Sequence, residues 1–199
     1  MFIGLATALA LLTAAAIAVN IKQNGDFTAI SSSPLPKCTG VADVKALRRK
    51  ADFVRLWHEG TVPAEPHDEV LYDGHLLRLG VLAPVSAFIT NHLFAPGRRW
   101  EGKAIVHGQS GINLFRDGRR RGFSARADTS ALDGRPALVL DYAARDVGDL
   151  LWGRVLGMRD ELREVAPGLL FGLGSMRATG GVRNAAPFVL VRRGGERVS

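Results

Sequence analysis

Reaction chemistry needs titratable or nucleophilic side chains set within hydrogen-bond reach of one another, and few in this sequence are spaced for it. Five histidines occur: His58, His67, His75, His92 and His107. No two show the His-x-x-x-His or His-Glu-x-x-His spacing that turns two imidazoles toward one metal. The single cysteine, Cys38, can neither complete a zinc set nor close an intrachain disulfide. No metal and no cofactor are therefore expected. Residues 108–111, Gly-Gln-Ser-Gly, echo a nucleophile elbow but lack its Gly-x-Ser-x-Gly pattern and its strand-turn-helix setting. The glycine-rich stretch 172–181 matches neither a dinucleotide fingerprint nor a phosphate loop. Asp141, His75 and His107 are the only acid–base candidates, and their spacing names no reaction.

Binding chemistry is better represented. The segment Met158-Arg-Asp-Glu-Leu-Arg-Glu-Val165 gathers charges before the Pro167-Gly168 turn. Arg159 and Arg163, with Asp160 and Asp141 nearby, could form an anion or carboxylate clamp at a cavity mouth, since the planar guanidinium suits bidentate contacts. A surface network of ion pairs is the alternative. Trp100 and Lys103 could close one end of a β-domain, the indole packing across it and the lysine capping it. Asn113 and Tyr142 are polar residues on otherwise apolar strands, the kind of groups that orient a ligand in an apolar pocket. A hydrogen-bonded core explains them as well. The expected ligand-binding residues are thus Trp100, Asn113 and Tyr142 inside, and Arg159 and Arg163 on the rim.

Short strands must position these residues. Candidate strands occur in 103–107, 112–116, 119–127, 136–142, 169–176 and 186–193, separated by turn residues such as Asp117-Gly118, Asp133-Gly134 and Gly180-Gly181. Residues 69–82 read as a hairpin or sharp bend with Asp73-Gly74 at the turn. Residues 84–94 read as a short helix. Seven or eight close-spaced strands without long intervening helices predict an antiparallel sandwich or barrel. Between Val41 and Gly60, apolar residues recur at helical spacing, predicting an amphipathic helix over 41–60. It either packs on the domain behind it or lies on a membrane surface.

Residues 1–19 are apolar apart from two threonines. As a helix they would span about 28 Å, close to the ~30 Å hydrocarbon core. The expectation is an N-terminal transmembrane helix, giving a single-pass membrane protein. The alternative is a signal sequence cleaved after Ala16-Ile17-Ala18, giving a secreted or periplasmic protein. Residues 20–40 read as a flexible linker and 61–199 as the β-barrel domain.

The formal charge is +7, with arginine supplying 21 of 26 basic residues. The sharpest basic stretch, Arg119-Arg120-Arg121, follows a tight turn. Successive strand residues face opposite ways, so these arginines form no flat patch, and only Phe123 offers a nearby stacking platform. No nucleic-acid partner is expected. Contact with anionic lipid headgroups is the functional reading of this stretch.

The order Trp100-Glu101-Gly102-Lys103, Leu140-Asp141-Tyr142, Arg159-Asp160-Glu161-Leu162-Arg163 and Leu170-Phe171-Gly172 resembles a group of small calycin-like barrels, distant in fold from lipocalins and fatty-acid-binding proteins. That group carries Trp-x-Gly-Lys and an earlier Gly-x-Trp-x-Gly. Here Gly74 and Gly80 stand without a tryptophan between them. The resemblance implies a mainly β, up-and-down antiparallel barrel of about eight strands with short helices, able to bind an apolar small molecule. It brings no catalytic residues. The leading expectation is a membrane-tethered barrel that binds or shields an apolar, lipid-like ligand at the bilayer surface, with membrane lipid as a partner. The alternative is an accessory subunit of a membrane protein complex with a packed, ligand-free barrel. An enzyme of unnamed reaction comes third.

Overall fold

The fold is given by a computed structural model, which describes residues 14–15, 17–19, 37–64, 68–79, 83–94, 99–106 and 108–194. Eight antiparallel strands follow one another around a closed barrel: β1 (Val70–Leu76), β2 (Trp100–Val106), β3 (Ser110–Phe115), β4 (Gly118–Thr129), β5 (Pro136–Asp141), β6 (Met158–Ala166), β7 (Leu169–Met176) and β8 (Ala186–Arg192). β8 pairs back onto β1 from Tyr72↔Arg192 to Leu76↔Phe188, so no sheet edge is left open.

Side-chain alternation makes two cores from one wall. Inside the barrel, Leu138 and Leu140 of β5, Leu162 of β6, Leu170 of β7 and Phe188 and Leu190 of β8 pack with Phe123 and Tyr142. On the outside, Leu169, Phe171 and Leu173 of β7 and Val189 of β8 are covered by two helices. The helix expected over 41–60 is α1 (Val41–Ala46) and α2 (Lys50–Glu59), broken where Leu47 and Arg49 take extended backbone. Val44, Phe53, Val54, Leu56 and Trp57 face the wall. Phe53 stacks on Phe171 at 5.9 Å, and Trp57 meets it edge-on at 6.4 Å. Each such buried side chain contributes roughly 1.5–3 kcal/mol. That burial is why α1 and α2 lie on the barrel.

Three further segments cap one end of the barrel. α3 (Ala83–Phe88) runs into a π-helical turn at Ile89–Leu93. A second π-helical segment spans Leu150–Val155. A pair of short 3-10 turns lies at Arg177–Thr179 and Gly181–Asn184.

Several expectations are corrected. Among the described residues no helix is long and apolar enough to cross a membrane. Of residues 1–19 only 14–15 and 17–19 are described, as helix, and the rest lie outside the described residues. The transmembrane anchor, the membrane location, the lipid partner and the tethered function all rested on that helix and fall with it. Of the linker expected over 20–40, residues 20–36 lie outside the described residues, and Cys38 packs partly buried against the outer core. Asp73-Gly74 is no turn: β1 runs straight through it, paired on both sides. The charged segment 158–166 is strand β6 rather than a rim.

Candidate functional site

β2 carries the first element of the site. Trp100 and Lys103 are three residues apart, yet both point inward. A bulge allows this: Trp100 pairs with Phe115 and Gly102 with Leu114, so one extra residue is accommodated. Gly102 takes φ +148, and a Cβ there would overlap the Tyr72 carbonyl. Only glycine fits that conformation at that approach. The Trp-x-Gly-Lys spacing is therefore a device for placing an indole and an ammonium side by side. Gly74 on β1 completes it, because the Trp100 ring occupies the space its Cβ would take.

A second bulge, on β4, serves the same place. Asn113 pairs with Arg120 while Ile112 pairs with Gly122, leaving Arg121 out of register at φ +63. The displaced Arg121 carbonyl accepts from Asn113 Nδ2 at 2.9 Å. The Arg121 side chain reaches the capping segments, donating to the Phe94 carbonyl at 3.1 Å and to Asp149 Oδ2 at 2.6 Å. Burial alone would raise the Asp149 pKa. The hydrogen bonds from Trp152 N and Arg121 outweigh that and hold it below the usual carboxylate value.

Lys103, Asn113, Tyr142 and Asp160 meet inside the barrel, all buried. Lys103 Nζ donates to Asn113 Oδ1 at 2.8 Å and to the Tyr142 hydroxyl at 2.6 Å, and lies 2.8 Å from Asp160 Oδ2. These three contacts use its three protons. Trp100 Nε1 donates to Asn113 Oδ1 at 3.1 Å, Asn113 Nδ2 to the Tyr142 oxygen at 3.1 Å, and Tyr142 to Asp160 Oδ2 at 2.9 Å. The rings of Trp100, Phe123, Tyr142 and Phe188 surround Nζ at 5.0 to 5.6 Å. Burial pushes the Lys103 pKa down, and Asp160 partly restores it. Burial, reinforced by Asp160, pushes the Tyr142 pKa well up.

Beside this network lies a cavity of about 280 Å³. Lys103, Asn113 and Asp160 form its polar floor. Its walls are Leu76, Phe94, Trp100, Trp152, Met158, Met176 and Phe188, with small residues at Gly174 and Ala186. Ile89, Thr90, Thr179, Asn184 and Ile17 stand at the capped end.

The structure thus brings Trp100, Asn113 and Tyr142 together. Arg159 and Arg163 lie on the outer face of the same wall. Arg163 is 1% exposed, makes a bidentate pair with Asp133 (both contacts 2.8 Å), donates to the Pro136 and Trp57 carbonyls, and stacks over the Trp57 ring at 4.2 Å. Arg159 donates to Glu161 Oε1 at 2.8 Å and to the Thr129 carbonyl. Neither reaches the cavity. Asp141 caps the backbone at Ala143 from the outer face, and His75 points outward between Gly74 and Leu76. His107 lies outside the described residues. The three hairpin arginines are each paired: Arg119 with Glu69, Arg120 with Asp117 and Arg121 with Asp149.

Asp160 is the site residue that sequence reasoning assigned to the rim. The signal was present: in Arg159-Asp160-Glu161-Leu162-Arg163, a period of two puts Asp160 with apolar Leu162 and the other charges opposite.

No protein-family model matches the chain. No curated protein matches it. Among solved structures it is similar to one titled "Crystal structure of protein from Thermomonospora curvata", with 15% identity over 69% of this chain and 83% of that chain, at a TM-score of 0.43. A likeness at that score carries no argument.

Proposed function

We propose that this chain is a calycin-like binding barrel that holds a small apolar molecule at its capped end. The single observation that carries this reading is the cavity: about 280 Å³, walled by aromatic and sulfur-bearing side chains and floored by three polar ones. That is just under the ~300–1,000 Å³ of drug-sized ligand pockets, and it has the usual division into apolar walls and a few orienting groups. The up-and-down strand order with full closure supports the calycin likeness.

Two of the chain's three tryptophans, Trp100 and Trp152, line the cavity. Titrating the purified chain with the apolar dye N-phenyl-1-naphthylamine should quench tryptophan emission saturably, at about one dye per chain. Ala186→Leu, which fills the cavity from β8, should weaken binding by about ten-fold or more. Linear, unsaturable quenching in both proteins would sink the reading.

A second reading is an accessory subunit of a protein complex, with a packed barrel and no ligand. The observation favouring it is apolar surface on the capping segments: Leu150, Leu151 and Val155 are 68%, 51% and 61% exposed, and Phe88 is 53% exposed. Loss of a stable complex on Leu150→Glu/Val155→Glu, with no dye binding in either form, would favour this reading.

A further inference from the structure

The cavity floor is unevenly satisfied, and the imbalance selects a ligand chemistry. Asp160 is 2% exposed, and Oδ2 takes both of its hydrogen-bonded partners, Lys103 and Tyr142. Oδ1 accepts no hydrogen bond among the described residues. It faces Gly174, where a Cβ would stand 2.9 Å away, so the missing side chain leaves this oxygen open to the cavity that both residues line. An acceptor oxygen that opens onto an otherwise apolar cavity without a protein donor is under-satisfied, and a ligand donor would complete it. Trp152 lines the same cavity at 5% exposure, and its indole Nε1 is buried with no partner among the described residues.

We infer that the barrel selects a neutral apolar alcohol or phenol, whose hydroxyl donates to Asp160 Oδ1 while its hydrocarbon body fills the aromatic walls. This rests on the binding-barrel reading above and names the ligand class for the same cavity. A carboxylate ligand would meet Asp160 with all three Lys103 protons already engaged. A cationic amine would come close to the Lys103 ammonium. An ether or hydrocarbon would leave Oδ1 without a donor.

Matched probes test this by displacement of N-phenyl-1-naphthylamine at pH 7: 2-naphthol, 2-methoxynaphthalene and 2-naphthoate. The naphthol should bind about ten-fold or more tightly than either of the others, as expected for a hydrogen bond to a charged acceptor. Gly174→Ala, which sets a methyl against Oδ1, should pull the naphthol-to-ether ratio toward one. Equal binding of all three probes, tighter binding of the acid, or a ratio that Gly174→Ala leaves unchanged would overturn the inference while leaving the cavity reading intact. Displacement by none of them while the dye binds saturably would overturn the inference alone, and a dye that does not bind saturably would overturn both. If Gly174→Ala does not fold, the three-probe series on the unaltered chain decides.

Discussion

Lys103 Nζ and Asp160 Oδ2 lie 2.8 Å apart inside a closed barrel, on strands that are not neighbours. The pair links β2 and β6 across the interior, with Tyr142 of the segment after β5 bonded to both. Removing one partner strands the other in an apolar interior. Asp160→Ala should therefore lower unfolding free energy by roughly 3–5 kcal/mol. The double variant Lys103→Met/Asp160→Leu should recover most of that loss. Urea unfolding of the three proteins checks it, and a double variant as unstable as the single one would refute the assignment.

Gly102 and Tyr72 make a second test. Any side chain at Gly102 meets the Tyr72 carbonyl at a φ that L-residues rarely adopt. Gly102→Ala should cost at least about 2 kcal/mol, from strain plus overlap. Near-ultraviolet circular dichroism should change as well, because the same bulge aims Trp100 inward. A neutral Gly102→Ala in urea unfolding would mean that β2 is not bulged there.

Alkaline pH probes the interior directly. The chain's two tyrosines, Tyr72 and Tyr142, are both buried. Burial pushes Tyr72 up to about 12, and pushes Tyr142, with help from Asp160, well above its ordinary value. In the unfolded chain both lose their protons near ~10. Above that pH the folded state holds protons that the unfolded state has released, so stability falls as pH rises, through about pH 12 for Tyr72. Lys103 works in the opposite sense. Its lowered pKa means that the unfolded chain holds the extra proton up to about pH 10.5, so stability rises with pH until then. Phenolate absorbance should stay absent from the folded protein at pH 10.5 and appear with unfolding. A normal tyrosine titration in the folded state would contradict the burial.

Arg163 separates scaffold from site. Its guanidinium holds Asp133 and two backbone carbonyls outside the barrel. Burial alone would raise the Asp133 pKa, but hydrogen bonds led by Arg163 hold it below the usual value. Arg163→Met should destabilise the fold by roughly 3–5 kcal/mol by taking from Asp133 its bidentate guanidinium, leaving it the Arg135 amide and His58. In the fraction that folds, dye affinity should be unchanged. A selective loss of binding with stability intact would move Arg163 into the site.

By itself the sequence determined the class of fold and part of the interior. Turn residues at 117–118, 133–134 and 167–168 and the short apolar runs at 112–116 and 136–142 are local properties, so they were legible without a structure. They marked most of the strands, the short helix after β1, and Asn113 and Tyr142 as polar residues on apolar strands. Only the tertiary structure decided which charges face in. In β6 the period of two already groups Asp160 with Leu162 and sets Arg159 and Arg163 opposite, but which of those faces is the interior, and that Asp160 there meets Lys103, is set by pairing with β5 and β7 and by closure of the barrel, which is long-range information. The same holds for Asp73-Gly74. A turn dipeptide became straight strand because β2 and β8 pair along both its sides and the Trp100 ring needs the space above Gly74. Local propensity yields where a closed barrel supplies hydrogen bonds on both sides of every strand.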